Sequence, residues 1–207
     1  MLLIFRVKYF IIKTFTNGGV RMAKKRATKE ALLTAAIGLF QKHGFENITI
    51  DDICKEIDVT KTAFYYYYKS KDELIRDYFS TDNMLSSEEL ASILSANDYA
   101  NQVLRIIETR IRHVTRAGVT LTKELYRIYL KDKVIPLLPE QDGLSDIVTS
   151  LIERAQQEGQ IKRTSSPKIL GNSLCCLSNG IVLKWIMAGG KFDVINENRL
   201  LFEALFL

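Results

Sequence analysis

Thr49-Ile50-Asp51-Asp52-Ile53-Cys54-Lys55-Glu56-Ile57-Asp58-Val59-Thr60-Lys61-Thr62-Ala63-Phe64-Tyr65-Tyr66-Tyr67-Tyr68-Lys69-Ser70-Lys71-Asp72-Glu73-Leu74 is the stretch on which the fold turns. Thr49, Thr60 and Ser70 each stand just before a segment of helical pattern, where a side-chain oxygen can cap free backbone N–H groups. They delimit one short helix from Ile50 to about Ile57 and another from Lys61 to about Tyr67. A longer helix opens after Ser70, with Asp72 and Glu73 in its first turn. Two short helices that cross steeply need apolar residues where they touch, a small residue at closest approach and a sharp link. Ile53, Ile57, Val59, Phe64 and Tyr67 supply the contacts, and Cys54 supplies the small side chain. Asp58 stands in the link, where a left-handed backbone is often needed and Asp tolerates it. The outward positions of the second helix are Thr60, Lys61, Thr62, Tyr65 and Tyr66. These are hydrogen-bond donors and a cation, suited to phosphate oxygens and base edges in a major groove. Tyr67 and Tyr68, the inner half of the tyrosine run, are expected to be structural.

Outward from this stretch the chain reads as helix after helix. Thr28 caps a first helix whose apolar positions, Leu32, Ala35, Ala36, Leu39 and Phe40, recur at helical spacing, and Gly44 stops it. Toward the C-terminus, helical segments are expected at roughly 98–117, 119–134, 143–158, 167–189 and 193–207. Pro136, Pro139, Gly143, Gly159 and Pro167 mark the joints. Three prolines and 11 glycines in 207 residues favour long helices over a turn-rich sheet fold. No alternating strand pattern and no internal repeat stands out. The expected fold class is all-α.

The residues from Thr49 to Ile57 and from Val59 to Leu74, with Leu39-Phe40 and His43-Gly44-Phe45 before them, resemble the DNA-binding domain of TetR regulators. The specific resemblance covers about residues 27–75; beyond it, only length and helical pattern agree. Asp58 stands where the family usually has glycine, and Tyr66 and Tyr67 where His or Phe is frequent. The resemblance implies an N-terminal three-helix helix-turn-helix DNA-binding domain over 22–75, followed by a larger helical dimerisation and ligand-binding domain over 76–207. It implies that Thr49 and Thr60 hold phosphates, that Lys61 and Thr62 face base edges, and that Tyr65 meets a base or phosphate. Tyr66 would touch the DNA backbone, Lys71 would reach a phosphate, and the arm Lys24, Lys25 and Arg26 would enter the adjacent minor groove. The implied activity is that of a repressor bound to palindromic operator DNA as a homodimer and released by a small-molecule inducer.

Charge locates this reading more than it proves it. The net charge of +5 is concentrated in residues 1–21, where Arg6, Lys8, Lys13 and Arg21 face no acid; residues 76–207 carry equal numbers of each sign. Residues 2–12 are apolar but too short to span a bilayer and are interrupted by Arg6 and Lys8, so no membrane association is expected. No small-residue cleavage site follows them. Met22 opens a polar arm as a natural start would, and Gly18-Gly19 can be encoded by a purine-rich ribosome-binding sequence. Residues 1–21 are therefore expected to be a translated leader, which intact-mass measurement on the native protein would test.

Three cysteines without framework spacing point to a reducing cytoplasm. His43 and His113 lie far apart and near no metal-ligand cluster, and no nucleophile–base pair stands out. No metal, no cofactor and no enzymatic activity are expected. The last two helical segments are rich in apolar residues, more than terminal helices of one globule need, which marks a dimer interface. Leu174, Leu177, Ile181, Leu201 and Leu205 are its candidates. Arg110, His113, Tyr126, Tyr129, Cys176 and Asn179 are polar or polarisable residues in mostly apolar helices, and are the candidates for an inducer pocket. A competing reading keeps the fold but has the protein act through a protein partner rather than DNA; binding to DNA flanking the gene separates the two.

Overall fold

The hydroxyl residues open the helices expected of them. In the computed structural model, which describes residues 28–133 and 144–207, α1 (Lys29–His43) starts where Thr28 Oγ1 accepts the Ala31 N–H at 3.1 Å. It stops at Gly44, whose φ of 85° lies in the region that favours glycine. Thr49 and Asp52 form a reciprocal capping box at the start of α2 (Ile50–Glu56). Thr60 caps α3 (Lys61–Tyr67), and Ser70 caps α4 (Lys71–Tyr78). Leu32, Ala36, Phe40, Ile53, Phe64 and Leu74 form the buried core of this unit.

The segment after α4 departs from the sequence reading. The helix opened by Ser70 ends at Tyr78, and two short helices follow, α5 (Thr81–Met84) and α6 (Ser87–Leu94). Ser86 Oγ accepts the Glu89 N–H, so the Ser-x-x-Glu spacing at 86–89 was a readable start signal. Next comes α7 (Tyr99–Asp132), then α8 (Leu144–Gln157), α9 (Pro167–Met187) and α10 (Val194–Phe206), packed on one another around a second core. All regular structure among the described residues is helical. By length and composition α9 could cross a membrane, but its inner face, Leu170, Leu174, Cys175, Val182 and Trp185, packs into this core.

α7 belongs to both cores, and Gly118 divides it. Val103, Ile106, Ile107 and Ile111 lie in the C-terminal core, whereas Ala117, Leu121, Leu125 and Ile128 complete the core of the N-terminal helices. The N-terminal unit is thus not closed at residue 75. At Gly118 the backbone leaves the helix (φ 83°, ψ 168°), as the expected break between 117 and 119 required. Carbonyls freed by the kink find other donors. Gln41 Nε2 donates to the oxygens of Arg116 and Ala117 at 3.1 and 3.3 Å, and Thr122 Oγ1 donates to Gly118 O at 2.8 Å. A β-carbon at Gly118 would meet open space, so substitution acts through backbone strain alone. Gly118→Ala should lower stability by about 1–3 kcal/mol, measured as a shift in the denaturation midpoint. An unchanged midpoint would show that α7 straightens freely.

Candidate DNA-interaction site

α2 and α3 meet through Ile53, Cys54 and Phe64, all buried, with Cys54 small enough for close approach. Asp58 takes φ 53° in the link, and the Val59 N–H closes the turn on the Cys54 carbonyl at 2.9 Å. The far end of α3 is pinned by Tyr68, which is buried and donates to Asp77 Oδ2 at 2.5 Å. Lys29 Nζ reaches the other oxygen of Asp77 at 2.9 Å. Burial, and then this bond to Asp77, push the Tyr68 phenol well above its usual pKa. One carboxylate therefore ties α1, the end of α3 and α4 together and fixes the face that α3 turns outward.

On that face Thr60, Lys61, Thr62, Tyr65 and Tyr66 are all exposed, Tyr66 to 81%. Phe40, Phe45, Phe64 and Tyr68 in the same unit are buried, so such exposure suits contact with another molecule. Lys61 pairs with Asp51 at 2.9 Å, both side chains about half exposed; a surface pair of this kind is weak and can exchange partners. The Thr49 hydroxyl donates to Asp52 Oδ2 at 2.6 Å and accepts the Asp52 N–H at 3.2 Å. The hydroxyl bond, and then a second from the Thr49 backbone N–H to the same oxygen at 2.9 Å, hold the Asp52 carboxyl below its usual pKa. Thr49 can therefore donate to a phosphate only by releasing Asp52. Lys24, Lys25 and Arg26 lie outside the described residues, as does the segment 1–21.

Lys71 does not sit as a phosphate ligand. Its ammonium turns inward and donates to the backbone oxygens of Phe45 and Ile48, both at 2.7 Å. It also lies 4.3 Å from the Phe45 ring centroid, on which the Arg127 guanidinium sits at 5.6 Å. Arg127 in turn pairs with Asp72 at 2.7 Å and Glu124 at 2.6 Å. In the free chain the two carbonyls of the α1–α2 link hold the cation, so Lys71 can reach a phosphate only by releasing them.

The pocket candidates divide. Arg110, Tyr126, Tyr129 and Asn179 line one small cavity between the end of α4, α5, α7 and α9. Its free space is about 30 Å³, room for roughly two waters. His113 and Cys176 are not among its walls. His113 packs between Tyr78 and Phe79, with Nε2 2.8 Å from the Tyr78 oxygen; a carbonyl only accepts, so that nitrogen carries a proton. Burial lowers its pKa, which keeps the ring neutral and suits it to stapling α4 to α7. Cys176 lies on the exposed side of α9.

Among the interface candidates, Leu174 is also corrected: at 1% exposure it is part of the chain's own core. Leu177 and Leu205 are exposed, and Ile181 and Leu201 are half-buried. Ile169 and Met187, unnoticed in the sequence, extend the exposed apolar stripe on α9 together with Leu183. Ile169 and Met187 stand eight residues before and ten after Leu177, each about a quarter-turn from it on a helix, which is a readable signal.

Residues 32–78 match the family model for bacterial regulatory proteins of the tetR family. The icaADBC biofilm operon negative regulator of Staphylococcus epidermidis is 38% identical over 48 residues, which span 23% of this chain and 26% of that protein. The probable acrEF/envCD operon repressor of Escherichia coli is 20% identical over 183 residues, covering 84% of this chain and 83% of the repressor. Among solved structures, Thermus thermophilus FadR, a TetR-family transcriptional repressor in complex with lauroyl-CoA, superposes with a TM-score of 0.62 at 19% identity. That match covers 85% of this chain and 93% of FadR. With the helix-turn-helix, the capped α1 before it and the helical domain after it all in agreement, residues 32–78 form an N-terminal domain of the bacterial tetR regulatory type, and the chain as a whole has the fold of that family's solved members.

Proposed function

We propose that the protein is a cytoplasmic transcription regulator, of repressor type, that binds palindromic operator DNA as a homodimer and is released by a small molecule. The observation that carries this is the outward face of α3, where Thr60, Lys61, Thr62, Tyr65 and Tyr66 stand exposed on a helix whose other side is locked into a core. In this reading residues 22–75 hold the DNA and residues 76–207 pair the subunits and receive the inducer. The named activities of the Staphylococcus and Escherichia relatives support it, and the acyl-CoA bound to FadR supports a ligand-responsive role. Pairing through the exposed stripe of α9, with α10 beside it, would give the two reading helices the two-fold symmetry of a palindromic site.

Fluorescence anisotropy or gel shift on DNA flanking the gene tests the proposal. Tight, sequence-selective binding is expected. If the protein bound no DNA but captured a protein partner, the competing reading would replace it. Within the site, Thr62→Ala should weaken operator binding by about 1–3 kcal/mol and relax preference at one base step. Equal loss on every sequence would remove Thr62 from the base-reading set.

A further inference from the structure

We infer that the cavity between α5, α7 and α9 is built for a small amphipathic anion, with one carboxylate-type head on a hydrocarbon body. This deepens the inducer role proposed above and rests on that reading for its effect on DNA, though not for binding itself. Two observations point to the head. Arg110 projects into a mostly apolar cavity and donates to Asn179 Oδ1 at 2.8 Å. Unlike Arg127 and Arg199, it has no carboxylate within ion-pair distance among the described residues. Ser178, next to Asn179 on α9, also lines the cavity; it is 2% exposed, and its hydroxyl has no hydrogen-bond partner among the described residues. A buried hydroxyl left unpaired is costly in an apolar setting, and the half-buried Arg110 beside it has guanidinium donors beyond the one that Asn179 accepts. One anionic group accepting from Arg110 and Ser178 would satisfy both.

The rest of the wall suits a hydrocarbon. Ile107, Val114, Leu125 and Val182 face the cavity, and Met84 closes it from the short helix α5. A thioether side chain of this kind is flexible enough to make way. The present space of about 30 Å³ holds roughly two waters, so such a ligand must push the wall outward. Phe79, the residue that caps the C-terminus of α4, is part of that wall. Occupancy would thus bear on the helix whose opposite end carries Lys71 and the link to α2.

The experiment is calorimetric titration of the full-length protein, without DNA, with the straight-chain carboxylates from hexanoate to dodecanoate and with the matched alcohols. At least one carboxylate should bind about tenfold or more tightly than its alcohol. Arg110→Gln should abolish that preference, and Arg110→Lys, which keeps the charge, should restore part of it. Circular dichroism checks that each variant is folded; should Arg110→Gln not fold, Ser178→Ala supplies the same comparison with a smaller loss. No carboxylate bound, alcohols bound equally well, or a preference untouched by both Arg110→Gln and Ser178→Ala overturns the inference. Operator anisotropy with the bound carboxylate is read separately. Carboxylate binding by a protein that never binds DNA would sink the proposed regulator and leave this site standing. DNA binding without any carboxylate effect in the titration would do the reverse.

Discussion

Leu177→Glu is expected to turn the dimer into a monomer and to lower operator affinity by orders of magnitude. Leu177 sits mid-way along the stripe formed by Ile169, Leu183 and Met187 on α9, and is 41% exposed in the single chain. A glutamate there is well solvated in the monomer, so the fold should survive, which circular dichroism can check. In a paired interface the same carboxylate would be buried opposite apolar side chains, at a cost of several kcal/mol per subunit. Two-fold symmetry doubles that cost, because each subunit contributes one charge to the same patch. A monomer keeps one reading helix and about half the phosphate contacts, and loses the gain from linking two half-sites. Sedimentation should show the monomer mass, and anisotropy should show weak, poorly selective binding. A variant that remains dimeric would move the interface away from this stripe. A monomer that still bound the operator tightly would end the two-fold model of recognition even with the fold unchanged.

How far the sequence could be read depended on whether the deciding contact was local. The caps at Thr28, Thr49, Thr60 and Ser70 were legible because each satisfies backbone groups two or three residues away. Asp58 and Gly118 were legible for the same reason: a left-handed link and a helix break are written at single positions. Tertiary partners were not. His113 looked like a ligand residue because it is a polar group in an apolar helix, yet its partner is a carbonyl 35 residues earlier. Leu174 and Leu177 are both leucines within one turn, and only packing decides that one lies in the core and the other faces outward. Arg110, Tyr126, Tyr129 and Asn179 stand out in the sequence by their chemistry alone and do converge on one cavity. The unpaired hydroxyl of Ser178 beside them has no sequence signature at all.

Lys71→Met should weaken binding to every DNA sequence alike while leaving the salt dependence of binding unchanged. A lysine on phosphate behaves differently. Each lost phosphate contact lowers the slope of log affinity against log salt by about 0.9, so one per subunit removes roughly 1.8 from a dimer. The structure gives Lys71 two backbone oxygens, those of Phe45 and Ile48, in the link that leads to Thr49 and α2. Methionine fills similar space but donates nothing, so both carbonyls lose a charge-assisted bond. The expected loss of stability is about 1–3 kcal/mol for each carbonyl that water cannot reach. The cation also leaves the Phe45 ring, which keeps only Arg127 on it. Arg127 stands beside Tyr126 on α7, one of the cavity-lining residues, and holds Asp72 at the start of α4. The link before α2 is therefore gripped from two sides, by α4 through Lys71 and by α7 through Arg127. Loosening it spreads the position of Thr49 and the angle of α2 against α3, which costs affinity without removing a charge from the DNA. Hydrogen exchange in residues 45–49 should quicken in Lys71→Met, and the salt slope should match the parent protein. A slope lower by nearly two units, with exchange unchanged, would return Lys71 to the phosphate contacts and leave the link to be held by Arg127 alone.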